Sequence, residues 1–199
     1  MDIYVADIGD FADHLERLSP LLPHSRQTRI HRAPSEEKKL QNLCAGLLLR
    51  SVTGDRLPEY GPHGKPFLPG GPHFSLSHSG RLAVLAVSEA AVGVDVEKPR
   101  PVSESVARRY FQPEEQSWMA ENPTDRFFRL WTRKEAVLKC CGRGLSLSPA
   151  DFCVLPGRTP EAAGMVCTLT TLEHKGHILS VASAAGDGNC RLIPFYPED

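Results

Sequence analysis

Between Ser35 and Arg50 the apolar residues Leu40, Leu43, Cys44, Leu47 and Leu48 recur at i, i+3, i+4, i+7 and i+8, one face of an α-helix. Ser35 is placed to cap it, and Glu36 and Glu37 complement the positive end of its dipole, with Arg50 at the negative end. A second helix is predicted to begin at Pro113, followed by Glu114, Glu115 and Trp118. A third is predicted from about Asp125 to Cys141, capped by Thr124 and stopped by Gly142. Short apolar runs alternate with these helices. Leu82–Val87 and Val92–Val96, separated by Ser88-Glu89-Ala90-Ala91, read as an antiparallel hairpin. Met165–Leu172 and His177–Ala182 repeat the design across Glu173-His174-Lys175-Gly176, and Ile3–Ile8 reads as one more strand. The Gly- and Pro-rich stretch Pro58–Pro72 reads as a surface loop. Each half of the chain therefore carries a helix and antiparallel strands. The pattern predicts an α+β protein of two similar lobes, residues 1–100 and 101–199, each a small antiparallel sheet packed with a long helix and joined at Pro99-Arg100-Pro101.

Composition narrows the function. With 199 residues, 41% hydrophobic, the chain can bury a proper core, and a net charge of −1 excludes a globally basic nucleic-acid binder. The longest apolar stretch is broken by Ser88, Glu89 and Asp95, short of the roughly 20 residues a membrane span needs, so no membrane association is expected. Met1-Asp2-Ile3-Tyr4 lacks a basic leader, which predicts a cytoplasmic protein. The six cysteines (Cys44, Cys140, Cys141, Cys153, Cys167, Cys190) show no CxxC spacing and read as reduced small hydrophobes.

Four constellations carry candidate chemistry. In Gly93-Val94-Asp95-Val96-Glu97, strand alternation puts Asp95 and Glu97 on one face. That is either a solvated acidic face or an all-oxygen site of the kind Mg²⁺ takes beside a phosphate. In Trp131–Lys139, residues Trp131, Glu135 and Lys139 share one helical stripe. Glu135 and Lys139 form either an exposed ion pair or the third carboxylate and the phosphate-binding cation of the same site. Phe74–Arg81 alternates like a strand and then gathers Ser77, His78, Ser79 and Gly80, groups that donate to phosphate. It holds no GxSxG elbow, which makes a serine hydrolase a poor reading. His63 and His73 are read as loop residues. Arg26, Arg29 and Arg32 form a basic stripe if helical, and Lys65 lies in Gly64-Lys65-Pro66. A Mg²⁺-dependent nucleotide phosphatase is a rival reading of these residues.

Together, Gly64-Lys65-Pro66, Ser77-His78-Ser79, Gly93–Glu97 and Trp131–Lys139 followed by Gly142-Arg143-Gly144-Leu145 resemble the motifs of Sfp-type 4′-phosphopantetheinyl transferases, in order and over nearly the whole chain. The resemblance implies two pseudo-symmetric α+β lobes with coenzyme A between them. It implies transfer of 4′-phosphopantetheine from coenzyme A to a serine of an apo acyl or peptidyl carrier protein, with release of 3′,5′-ADP. It assigns Asp95, Glu97 and Glu135 to Mg²⁺, and Lys139 and His78 to the pyrophosphate. Arg26, Arg29 and Lys65 fall chiefly to the 3′-phosphate, with Ser77 beside them. Glu135 and Lys139 become the catalytic residues, Glu135 as base. Glu115 resembles a family glutamate. Where the family often has an arginine this chain has Gln41, with Lys38 and Lys39 near enough to replace its charge. A rim around Arg108 and Arg109 is expected to dock the acidic carrier, and a monomer is expected. The carrier's pathway, whether polyketide, nonribosomal peptide, fatty acid or siderophore, is not legible.

Overall fold

The computed structural model describes residues 1–102, 104–184 and 188–197. Strand β1 (Asp2–Asp7) is followed by helices α1 (His24–His31) and α2 (Glu36–Thr53), then β2 (His73–Ser79), β3 (Leu82–Ser88) and β4 (Val92–Glu97). Helices α3 (Glu104–Tyr110), α4 (Pro113–Met119) and α5 (Pro123–Cys141) precede β5 (Thr168–His174), β6 (His177–Ser183) and β7 (Arg191–Pro194). The first sheet runs β7-β1-β3-β2 and the second β4-β6-β5. All pairs are antiparallel except β1 with β7, which brings the end of the chain back beside its first strand.

Period-two alternation explains the layering. On β3, Ala83 and Leu85 join the core under α2, while Leu82, Val84 and Ala86 face the other way. There they meet Ile3, Val5, Val92, Val94, Val96, Leu179 and Val181, so a third core joins the sheets between the two helix-covered ones. The remaining core packs α5, through Phe128, Ala136 and Val137, on Ile178 and Ala182 of β6. The α+β class, with small sheets each packed by a long helix, is as the periodicity predicted, while β4 joins the second sheet and β7 the first.

Several boundaries differ. Leu82–Val87 and Val92–Val96 do not form the expected hairpin: β3 pairs with β1 and β2, while β4 crosses to the second sheet and pairs with β6. The physical reason is burial on both faces of each run, which needs a different covering layer on each side, and a link at 88–91 without the Gly or Asn a tight turn uses. The tight hairpin is β2–β3, turned at Gly80 (φ 51°). The C-terminal hairpin is real, but its turn contracts to Lys175-Gly176, both at positive φ, and Met165–Val166 pairs instead with Glu161–Ala162. Helix α2 runs one turn past Arg50, and α5 starts at Pro123 rather than Asp125, proline being well suited to the first helical position. The loop at 58–72 contains a short ribbon, Glu59–Tyr60 on Pro66–Phe67. All six cysteines are free.

Candidate active site

Gly93 brings the site together. A Cβ there would lie 2.0 Å from the Ala136 carbonyl oxygen and 2.4 Å from the Cys140 nitrogen, so only glycine lets β4 lie directly against α5. That approach sets the polar face of β4 against the Glu135–Lys139 turn of the helix. The Lys139 ammonium donates to Asp95 Oδ1 at 2.7 Å and to the Val94 carbonyl at 3.0 Å. Ser77 Oγ donates to the same Asp95 oxygen at 2.8 Å. The other oxygen, Oδ2, is buried with no hydrogen-bond partner. Burial holds the Asp95 carboxyl above its ordinary range despite Lys139 and Ser77. Glu135, half-buried one turn before Lys139, is also pushed upward, by burial and then by the charges of Asp95 and Glu97. Glu97 accepts from Ser79 Oγ at 2.7 Å and from Arg100 Nη1 at 2.9 Å, both on Oε2.

A cationic arc continues from this point. His78 stands on the surface at the end of β2, and its imidazole is lowered by desolvation and then by Lys38, with Lys139 and Arg29 adding to the effect. Of the two candidate lysines, Lys38 is therefore the one that joins the arc. Buried Gln41 accepts from the Lys38 ammonium at 2.7 Å and donates to the Gly80 carbonyl at 2.7 Å, whereas Lys39 pairs with Glu36. The segment holding Arg26 and Arg29 is helical, which places both on α1, and Arg32 ends that helix. Arg26 is half-buried, its guanidinium lowered by burial and by Arg29, and lines a groove of about 420 Å³ with Leu22, Leu49, Leu57 and Tyr60.

Other assigned residues are placed differently. Lys65 donates to the Val92 carbonyl at 3.0 Å and the Cys140 carbonyl at 3.2 Å, tying the start of β4 to the end of α5. Ser77 faces Asp95 rather than the arginines of α1. Glu115 lies away from the cluster, fully buried, with Lys134 at 2.7 Å and the backbone amides of Gln112 and Val154 each at 2.8 Å. Lys134 also donates to the Pro149 and Phe152 carbonyls, so this glutamate and lysine staple the C-terminal lobe. Trp131 stacks on Phe127 and meets Tyr110 edge-on. Arg109 lies over the Tyr110 ring. Sequence reading gives Arg100 no part in the site and gives Ser79 to phosphate rather than to Glu97. The alternation Ser75-Leu76-Ser77-His78-Ser79 opposite Gly93-Val94-Asp95-Val96-Glu97 is the signal that would have paired Ser79 with Glu97.

The donor set fits a divalent cation that also uses substrate oxygens. Among the described residues no group of three or more His, Cys, Asp or Glu side chains is placed to hold a metal ion by itself. Mg²⁺ favours one or two carboxylates plus phosphate over an all-protein cage, and an unpartnered buried carboxylate oxygen suits it.

Comparison with known proteins identifies the family. Residues 91–182, which span β4 to β6, match the family model of the 4′-phosphopantetheinyl transferase superfamily. A 4′-phosphopantetheinyl transferase Sfp from Bacillus subtilis strain 168 is 31% identical over 205 residues, covering 92% of this chain and 88% of that protein. Another 4′-phosphopantetheinyl transferase from Bacillus subtilis is 44% identical over 98 residues, covering 46% of this chain and 44% of that one. The holo-[acyl-carrier-protein] synthase structure from Thermotoga maritima matches with a TM-score of 0.37 at 20% identity, over 47% of this chain and 61% of that chain. The chain belongs to the 4′-phosphopantetheinyl transferase superfamily and is an enzyme of its Sfp type. Among the described residues no helix is long and apolar enough to cross a membrane.

Proposed function

We propose that this enzyme transfers 4′-phosphopantetheine from coenzyme A to a serine hydroxyl of an apo acyl or peptidyl carrier protein, with Mg²⁺ held by Asp95, Glu97 and Glu135. The observation that carries the reading is the buried, unpartnered Asp95 Oδ2, on the carboxylate whose other oxygen takes Lys139 and whose charge helps raise the Glu135 carboxyl. When bound, Mg²⁺ neutralises charge on the pyrophosphate oxygens. Lys139 uses two of its three N–H donors on Asp95 and Val94, which leaves one for a phosphate oxygen. Lys38, Arg29 and Arg26 supply the cationic arc for the remaining phosphates, the 3′-phosphate at the Arg26–Arg29 end, with His78 as a hydrogen-bond donor beside them. Lys65 serves by fixing the seam between β4 and α5. The carrier serine Oγ bonds to the β-phosphorus as the bond from that phosphorus to the bridging oxygen breaks. The electron pair stays on the α-phosphate of the departing 3′,5′-ADP, and the serine proton passes to Glu135. A carboxylate with a raised proton affinity is a better base at neutral pH than an ordinary one. The reading takes the enzyme as a cytoplasmic monomer, with acidic carriers docking by the Arg108–Arg109 rim.

Incubation with coenzyme A, Mg²⁺ and an apo carrier protein tests it by mass spectrometry. The carrier should gain one phosphopantetheine group, and chelation of the metal should stop the gain. Nucleotide product without carrier modification would identify a phosphatase instead, and binding without turnover a coenzyme A module. Replacing Arg26 and Arg29 together by Ala should raise the coenzyme A KM more than it lowers kcat. It should also erase the discrimination against dephospho-coenzyme A.

A further inference from the structure

Ser75, Ser77 and Ser79 project from one face of β2 toward the backbone of β4. Their hydroxyl oxygens accept from the amides of Val94 (3.0 Å), Val96 (3.4 Å) and Lys98 (3.1 Å). With the oxygen turned to an amide, each hydroxyl proton is directed elsewhere. For Ser77 it goes to Asp95 Oδ1, and for Ser79 to Glu97 Oε2. Ser75 makes the amide bond and no hydrogen bond to a carboxylate among the described residues. A cation then joins each serine on the same oxygen: Lys139 on Asp95 Oδ1 and Arg100 on Glu97 Oε2. Both carboxylates are thereby clamped by one oxygen, and the other oxygen of each is left without a hydrogen bond among the described residues. Arg100 is itself held, donating to the Lys98 carbonyl and lying over the Phe128 ring.

We propose that Ser79, acting with Arg100, is a positioning residue that turns Glu97 Oε1 toward the divalent cation, as Ser77 and Lys139 turn Asp95 Oδ2. This rests on the reading that these carboxylates hold the metal. A free glutamate must surrender the rotamers of a flexible side chain to bind, whereas a clamped one has already done so. Hydrogen-bond partners of metal ligands typically set metal affinity by 10- to 100-fold.

The test is a Mn²⁺ titration of the full chain followed by electron paramagnetic resonance, with coenzyme A present and no carrier, so that nothing turns over. Ser79→Ala should raise the Mn²⁺ Kd about tenfold. Ser79→Thr, which restores the hydroxyl, should return it to within about twofold of wild type. Ser75→Ala loses the same kind of amide bond and should leave the Kd unchanged. Ser79→Cys fills the same volume with a weak donor and should raise the Kd at least about threefold, which carries the test if the alanine variant does not fold. A Kd for Ser79→Ala within about twofold of wild type, or an equal shift in Ser75→Ala, overturns the positioning role. Wild type that binds no Mn²⁺ overturns the metal reading itself and this inference with it.

Discussion

Lys139→Met removes one charge and keeps most of the stem, and its effects on stability and rate separate cleanly. The Asp95 side chain is 8% exposed and Lys139 29%, with the ammonium 2.7 Å from Oδ1. Without it Asp95 keeps only the Ser77 hydroxyl. Leaving a fully buried carboxylate unpaired costs about 3–5 kcal/mol. Lys139 is partly solvated, so the expected cost at pH 8 is smaller, about 2 kcal/mol. That corresponds to a fall in Tm of about 4–8 °C for a chain of this size. The pH dependence fixes the cause. Burial already raises Asp95 above its ordinary value of 3.8, and loss of Lys139 raises it further. A carboxyl raised on folding carries its full destabilising penalty above its folded pKa, and that penalty fades as pH falls through the folded pKa to the unfolded one. The Tm deficit should therefore be smaller at a pH below the folded Asp95 pKa than at pH 8. Carrier loading at saturating Mg²⁺ should lose at least about 100-fold in kcat/KM, or ~2.7 kcal/mol, from the missing phosphate contact. Calorimetry at the two pH values and steady-state loading kinetics provide both readouts. A rate loss below about fivefold, or a Tm deficit equal at both pH values, would refute the reasoning.

Gly93→Ala should cost more than about 3 kcal/mol and most of the activity, because a Cβ 2.0 Å from the Ala136 carbonyl oxygen forces β4 and α5 apart; a urea midpoint close to wild type would contradict this. Glu115→Ala strands the buried Lys134 ammonium and should lose about 3–5 kcal/mol, while activity per folded molecule at low temperature stays near wild type. A specific loss of kcat in folded protein would instead place Glu115 in the reaction. For Asp7, desolvation raises the carboxyl, but Lys175, the Gly9 amide and Arg81 outweigh it and hold it below the ordinary 3.8. Its stabilisation is thus complete above that value and fades as pH falls through the folded pKa, so Asp7→Asn should flatten the loss of stability between pH 5 and pH 3. Urea titrations across that window that run parallel to wild type would count against it.

Much of this protein was legible before its coordinates, and the exceptions share a cause. The faces of α2 and α5, the caps at Ser35 and Gly142, and the placement of Asp95 and Glu97 on one side of β4 follow from local periodicity. What escaped depends on which partner a strand chooses. An apolar run such as Val92–Val96 has no signal separating pairing with its sequence neighbour β3 from pairing with β6, far along the chain. The roles of Ser77, Ser79, Lys65 and Arg100 depend on the same choice, since each acts across the meeting of β2, β4 and α5. Glu115 and Lys134 carry the charge pattern of site residues, yet both are fully buried and paired, a fate that composition does not reveal.

The serine-bridged meeting of β2 and β4 also bears on how this chain avoids sticking to itself. Each strand is the last of its own sheet, and a bare sheet edge is a template for another molecule's strand. Here the edges shelter one another through hydroxyls rather than a continuous backbone ladder, so neither sheet ends at an open margin on that side. The halves are therefore poor candidates for separate existence. A fragment ending near residue 100 would bare the side of β4 that pairs with β6 and the side of β1 that pairs with β7, and self-association is the natural outcome for such a piece.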